Sequence, residues 1–344
     1  MAVTMRDVAA KAGVTPTVVS RVLHNKATTV RVSQATAERV RNIAKEMNYR
    51  VNVTARNFRD QQTMMIGVLH GVGFERQPLS EGSRYFACLV DGMIDRAFHH
   101  GYSVTFCPAL MGSDPEQAVS DGRFDGLIWY STDLTTENTD LIKNCRSPLV
   151  VVHASEADFE GKVASVICDN YGGISQAIDH LIELGHENIG FVLEKRDSFS
   201  EAKVRANVFE KIIKERGLQF SEEESIIYAE LDWSGLTREL KNTKCTALVT
   251  SSETVASHVL RVAREVGVNV PEDLSVVGFD STEFCEGLSP KLSAIQQPLR
   301  QMGAAAVDLL IGEISNYSFE KKHIVLPCGL DIRESTSTKK TTKK

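Results

Sequence analysis

Residues 3–25 read V-T-M-R-D-V-A-A-K-A-G-V-T-P-T-V-V-S-R-V-L-H-N, and the class of the first domain follows from them. Thr4 is placed to cap a helix whose apolar Met5, Val8, Ala9 and Ala12 fall at i, i+3, i+4 and i+7, with Asp7 closing a capping box. Gly13 ends that helix. Thr15 then caps a second one with Pro16 at its first position, where a missing N–H costs nothing, and Val19, Val22 and Leu23 form its inner stripe. Two short helices joined by Gly13-Val14-Thr15 make a helix-turn-helix. Its second helix turns Thr15, Pro16, Thr17, Ser20 and Arg21 outward, the small hydrogen-bonding groups and single arginine that suit a major groove. A third helix, capped by Ser33 and running through Val40, Ile43, Ala44 and Met47, closes a three-helix core.

The charge distribution around this segment agrees with a polyanionic partner. The 344-residue chain has a net charge of −6, but residues 1–60 hold eleven basic and four acidic side chains, leaving about −13 on the rest. A basic head on an acidic body implies one module for nucleic acid and another with a different task. The length and the 42% apolar content allow two or three domains. Seven cysteines at 88, 107, 145, 168, 245, 285 and 328 show no C-x-x-C pair and read as reduced thiols. The N-terminus is too polar for a secretory signal, and no stretch approaches the roughly 18 apolar residues of a membrane span, so a cytoplasmic protein is expected. The closing S-T-S-T-K-K-T-T-K-K, residues 335–344, is polar and aperiodic and is expected to be a disordered basic tail without an oligomerisation heptad.

From Met64 onward apolar runs alternate with helical patterns. Residues 66–69, 104–107, 127–129, 149–152, 166–168, 189–193, 247–249 and 276–279 read as strands, with helices at 85–99, 171–184, 200–216 and 253–266. Such alternation means parallel sheets with right-handed crossovers, and this many strands fit two similar halves better than one sheet. Folds of this kind bind ligands at the carboxyl ends of their strands.

The head, followed by A-T-A-E-R-V and M-N-Y, closely resembles the headpiece of LacI/GalR-type bacterial repressors. The likeness continues through I-G-V, Y-F-A-C-L-V-D-G-M, F-D-G-L-I, D-N-Y-G-G, H-L-I-E-L-G-H-E-N-I-G, D-L-S-V-V-G-F-D, A-I-Q-Q-P and M-G-A-A-A, covering residues 3–333. It implies an all-α helix-turn-helix headpiece at 1–49, a hinge helix at 50–62, and an α/β body at 63–334. The body would have two parallel-sheet, periplasmic-binding-protein-like lobes crossed by three strands, with 335–344 as the tail. The implied protein is a homodimeric repressor on a near-palindromic double-stranded operator, in the bacterial cytoplasm on the nucleoid. A small effector, a sugar by the family's habit, would control it without any cofactor. Thr4, Thr15, Pro16, Thr17, Ser20, Arg21 and Asn25 would contact DNA from the head, and Asn52, Ala55, Arg56 and Phe58 from the hinge. Val18 replaces the family's usual threonine, Val51 its proline, and Phe58 the leucine that wedges into the minor groove. Phe serves as such a wedge elsewhere; alternatively Phe58 docks on the body.

For the effector the resemblance points to Phe86, His153, Arg205, Trp233, Ser252, Asp280 and Gln297. An arginine fork and a carboxylate suit vicinal hydroxyls, one donating in pairs and the other accepting, and a flat indole packs on the C–H face of a sugar. Structural alternatives stand beside these roles. Arg205 pairs with Glu201 one turn back, Trp233 is core, Asp280 caps the helix after its strand, and His153 is a structural histidine. Ser252-Glu253 replaces the family's Asn-Asp, the 111–123 stretch is short for a full helix, and the loop after the first strand is long. Two other functions compete. A cytosolic enzyme lacks support, because G71-V-G73 has no third glycine and no P-loop, G-x-S-x-G or H-E-x-x-H occurs. A sugar-binding protein with an accessory head leaves the head unexplained.

Overall fold

A computed structural model describes residues 3–24, 31–50, 57, 62–72, 75–76, 84–107, 119–130, 136–194, 201–229, 235–315 and 322–340. The chain divides into two compact units, Met1–Thr63 and Met64–Lys344. In the first, α1 (Met5–Ala12), α2 (Pro16–His24) and α3 (Gln34–Glu46) pack around Val8, Ala9, Ala12, Val19, Val40 and Ala44. The capping box is present, with the Thr4 amide donating to the Asp7 carboxylate at 2.8 Å. Gly13 ends α1 at φ 64°, a left-handed conformation that a Cβ would strain.

The second unit holds two sheets. The first contains β1 (Met65–Val72), β2 (Glu75–Arg76), β3 (Ser103–Cys107), β4 (Gly126–Tyr130), β5 (Leu149–Val152), β6 (Ala164–Cys168) and β12 (His323–Leu326), in the order β12-β6-β5-β4-β1, with β3 and β2 both on β1. The second runs β13-β11-β10-β9-β7-β8, from β7 (Ile189–Glu194), β8 (Ile226–Ala229), β9 (Ala247–Thr250), β10 (Ser275–Asp280), β11 (Ser293–Gln296) and β13 (Gly329–Asp331). All pairings are parallel except those of β2 and β13. Around them lie α4 (Arg84–His99), α5 (Thr136–Asn144), α6 (Asn170–Glu183), α7 (Glu201–Glu215), α8 (Leu236–Asn242), α9 (Glu253–Val266) and α10 (Leu299–Ile314).

The chain passes between the two sheets three times: from β6 into α6, from β11 into α10, and from β12 to β13. Helix α6 packs on the second sheet, whereas α10 packs on the first and against α4. The α4–α10 contact is backbone on backbone. A Cβ at Gly92 would stand 2.1 Å from the Arg300 carbonyl oxygen, and one at Gly303 2.1 Å from that of Leu89. Two glycines therefore set the distance between these helices.

Sequence periodicity missed several elements. Helix α10 is buried on most of its circumference, so it has no polar face to mark its period. Strands β8, β11, β12 and β13 have three or four residues each, too few to alternate clearly. The expected disordered tail is corrected as far as Lys340. Ser335 is fully buried, its hydroxyl donating to the Val276 carbonyl at 2.6 Å and accepting from the Ser293 amide at 2.8 Å. Its carbonyl accepts from the Val276 amide at 2.8 Å, and the Lys339 amide donates to the Leu184 carbonyl at 2.9 Å. The serines and threonines that made this segment look solvent-seeking instead meet backbone groups at the edge of the second lobe. Among the described residues, no helix is long and apolar enough to cross a membrane.

Candidate functional site

Five of the seven sequence-derived effector candidates can be placed around the interlobe crossings of the body. Strands β5, β9, β10 and β11 end there, so the residues just beyond them converge: His153 after β5, Ser252 beyond β9, Asp280 closing β10 and Gln297 after β11. Helix α7 supplies Arg205. His153 and Asp280 have φ of 72° and 101°, left-handed values that side chains with a Cβ rarely adopt. Strain of this kind collects where a structure must aim a side chain.

Arg205 is 5% exposed. It donates through Nη1 to the Ser251 carbonyl at 2.6 Å and through Nε to Asn170 Oδ1 at 3.2 Å, with its guanidinium carbon 3.7 Å from the centre of the Phe279 ring. Two carboxylates flank it at longer range, Asp280 at 3.8 Å and Glu201 at 3.9 Å. The alternative of a simple Arg205–Glu201 pair therefore describes half of the arrangement. Asp280 does not cap the following helix; Thr282 does, accepting from the Phe284 amide. Asp280 instead accepts from Gln297 Nε2 at 2.5 Å, and the buried Gln297 Oε1 has no hydrogen-bond partner among the described residues.

His153 is buried, hydrogen-bonded to the Tyr85 hydroxyl, with Nδ1 3.9 Å from Glu201. Burial, reinforced by Arg205, pushes its pKa down to about 3, so the ring is neutral. Burial pushes the Asp280 carboxyl up to about 6, with Arg205 opposing and Glu253 and Glu201 adding to the rise. Burial also raises Glu201. Burial works against the Arg205 charge as well, but Asp280 and Glu201 outweigh it and hold the guanidinium protonated.

The Ser252 hydroxyl and the two remaining candidates lie differently. Phe86 packs into the core of the first lobe, its ring 4.9 Å from that of Tyr130, and its neighbour Tyr85 is the one that meets His153. The Ser252 hydroxyl caps α9, accepting from the Val255 amide at 3.2 Å. Trp233 lies outside the described residues, as does most of the 111–123 stretch and all of the long first-strand loop except Glu75 and Arg76. Tyr85, Tyr130, Asn170 and Glu253 were missed. Asn170 had a signal, standing in the quoted D-N-Y-G-G; Glu253 was noted only as a departure from the family.

In the head unit, Thr15, Pro16 and Thr17 are exposed at the start of α2, with Ser20 and Arg21 half-buried one turn on. Thr4 is exposed but its hydroxyl is engaged with Asp7, at 2.7 Å. Asn25, Asn52, Ala55, Arg56 and Phe58 lie outside the described residues.

Residues 4–52 match the family described as bacterial regulatory proteins, lacI family, and residues 178–336 match the periplasmic binding protein-like domain. The chain is 28% identical over 347 residues to the HTH-type transcriptional regulator RegA of Clostridium saccharobutylicum, covering 98% of this chain and 100% of that one. It is 27% identical over 346 residues to catabolite control protein A of Priestia megaterium, with 98% and 100% covered. Among solved structures it is similar to the lac repressor dimer bound to operator and the anti-inducer ONPF, with a TM-score of 0.78, 26% identity, and 98% and 100% of the chains covered. It is also similar to a complex of the transcriptional regulator CelR with cellobiose, with a TM-score of 0.69, 27% identity, and 97% and 99% covered.

Proposed function

Because the chain belongs to the LacI family of bacterial regulatory proteins, we propose that it is a dimeric repressor whose hold on a near-palindromic operator is set by a small polyhydroxylated effector between the lobes of its body. The single observation that carries the effector reading is the convergence of Arg205, Asp280 and Gln297 at the interlobe crossings, with Gln297 in the crossing itself. A guanidinium can donate to two adjacent hydroxyls while a carboxylate accepts from them. A ligand held by both lobes favours one lobe arrangement over another, and any such difference shifts the equilibrium that operator affinity depends on. The similar structures with an anti-inducer and with cellobiose support this reading by analogy of chain and fold.

On the DNA side, Thr17, Ser20 and Arg21 of α2 read base edges, and the hinge residues Asn52, Ala55, Arg56 and Phe58 enter the minor groove, with Phe58 as the wedge. The site of action is the bacterial cytoplasm, on the nucleoid. The test uses the full-length protein: a panel of sugars and sugar derivatives is screened by thermal shift, and operator binding is then followed by fluorescence anisotropy with each stabilising compound. A compound that raises the melting temperature should change operator affinity, and Arg205→Ala should remove that change while leaving operator affinity without effector near the parent value. An Arg205→Ala protein that still responds in full would overturn the placement of the effector.

A further inference from the structure

Resting on that reading of the cleft, we infer that the effector carries a protonated amine as well as hydroxyls, as an amino sugar does, with its ammonium held by Asp280 and Gln297 and balanced by Glu201. Among the described residues, the buried charges around the cleft do not cancel. Glu201, Glu253 and Asp280 are all at least nine-tenths buried, and Arg205 is the buried cation among them. His153 is neutral and adds no positive charge. Glu253 is satisfied by the Thr282 amide at 3.0 Å and the Thr282 hydroxyl at 2.7 Å. Asp280 and Glu201 thus share one guanidinium at 3.8 and 3.9 Å, while its shortest contacts go to neutral oxygens of Ser251 and Asn170.

The unmet demand is for donors. Gln297 is 4% exposed, and its Oε1 is a buried acceptor without a partner among the described residues. It sits on the side chain that already donates to Asp280, so both groups need a hydrogen from the same region. A neutral hydroxyl brings one hydrogen and two further lone pairs, which would need donors in turn. An ammonium brings three hydrogens, no lone pair and the missing charge. Buried surplus carboxylates are costly until a cation joins them, and burial, with Glu253 and Glu201 adding to it, raises the Asp280 carboxyl.

Matched pairs test this on the full-length protein at pH 7: glucosamine with glucose, galactosamine with galactose, and mannosamine with mannose, read by calorimetry and thermal shift at constant ionic strength. One amine should bind at least about tenfold tighter than its hydroxyl twin, the scale of a charge-assisted hydrogen bond in a buried site. Glu201→Gln, which keeps the shape, should shrink that preference several-fold with little effect on the twin. Equal or better binding of the hydroxyl twins, or no binding by any of the amines, overturns the inference. If a neutral sugar binds and Arg205→Ala abolishes it, the cleft reading stands and only the amine falls. If an amine binds equally well to the parent, Arg205→Ala and Asp280→Asn, the cleft reading itself falls.

Discussion

His153 and Asp280 are buried beside the same guanidinium, and each makes stability depend on pH in the opposite sense. His153 has a folded pKa of about 3, below its ordinary 6.5, so unfolding takes up a proton and the histidine's contribution is lost as pH falls from about 6.5 toward 3. Asp280 is raised from 3.8 to about 6, so the fold binds a proton that the unfolded chain releases, and stability drains as pH rises from about 4 through 6. Urea midpoints at pH 4.5, 5.5 and 7 separate the two. Relative to the parent, Asp280→Asn should gain stability from pH 4.5 to 7, by about 2 kcal/mol at about 1.4 kcal/mol per pKa unit. His153→Gln should be less acid-sensitive than the parent below pH 6. Parallel curves for all three proteins would refute both assignments. At this scale the family resemblance exposed Arg205, Asp280 and Gln297, the last two within the quoted D-L-S-V-V-G-F-D and A-I-Q-Q-P. Tyr85 stands in the quoted Y-F-A-C-L-V-D-G-M, but its role was not exposed, because that role is a contact with His153, 68 positions away.

Elements carry their own tests. Gly303→Ala places a methyl against the Leu89 carbonyl in backbone that cannot swing aside, so α4 and α10 must separate. Overpacking of this kind costs about 1–3 kcal/mol or more, whereas Gly287→Ala, with open space around it, should stay within about 0.5 kcal/mol of the parent by thermal melt. Ser335→Ala strands the Ser293 amide and should cost about 1–3 kcal/mol in chemical unfolding; no loss would mean the closing segment is dispensable. In α2, Arg21→Ala should lose roughly 1–3 kcal/mol on the preferred operator and much less on random DNA. Equal losses on both would assign Arg21 to phosphate. Helices α1 to α3 were readable residue by residue because the Thr4 and Ser33 caps of α1 and α3, the turn glycine and the stripes are local. Helix α10 was not, since its identity comes from being enclosed by α4 and a sheet.

For the whole molecule the two-lobed α/β body was legible from the alternation of apolar runs, whereas the three crossings were expected only through the family resemblance, because short segments such as S-A-I-Q and H-I-V-L acquire meaning only from the sheet they join. A two-fold homodimer should appear by sedimentation at micromolar concentration, and a monomer with and without operator would contradict it.

Strands β12 and β13 bear on how the protein comes into being. They complete the edges of different sheets, yet both are encoded within the final stretch of the chain, and α10 just before them covers the first sheet. During synthesis neither lobe can finish until residue 331 has been added, while the head has emerged long before. At 5–20 residues per second that interval is on the order of 15–60 seconds. A nascent chain thus has a DNA-binding head ready while its ligand-sensing body is still half-made, and a truncated message would release heads that bind but do not answer to any effector.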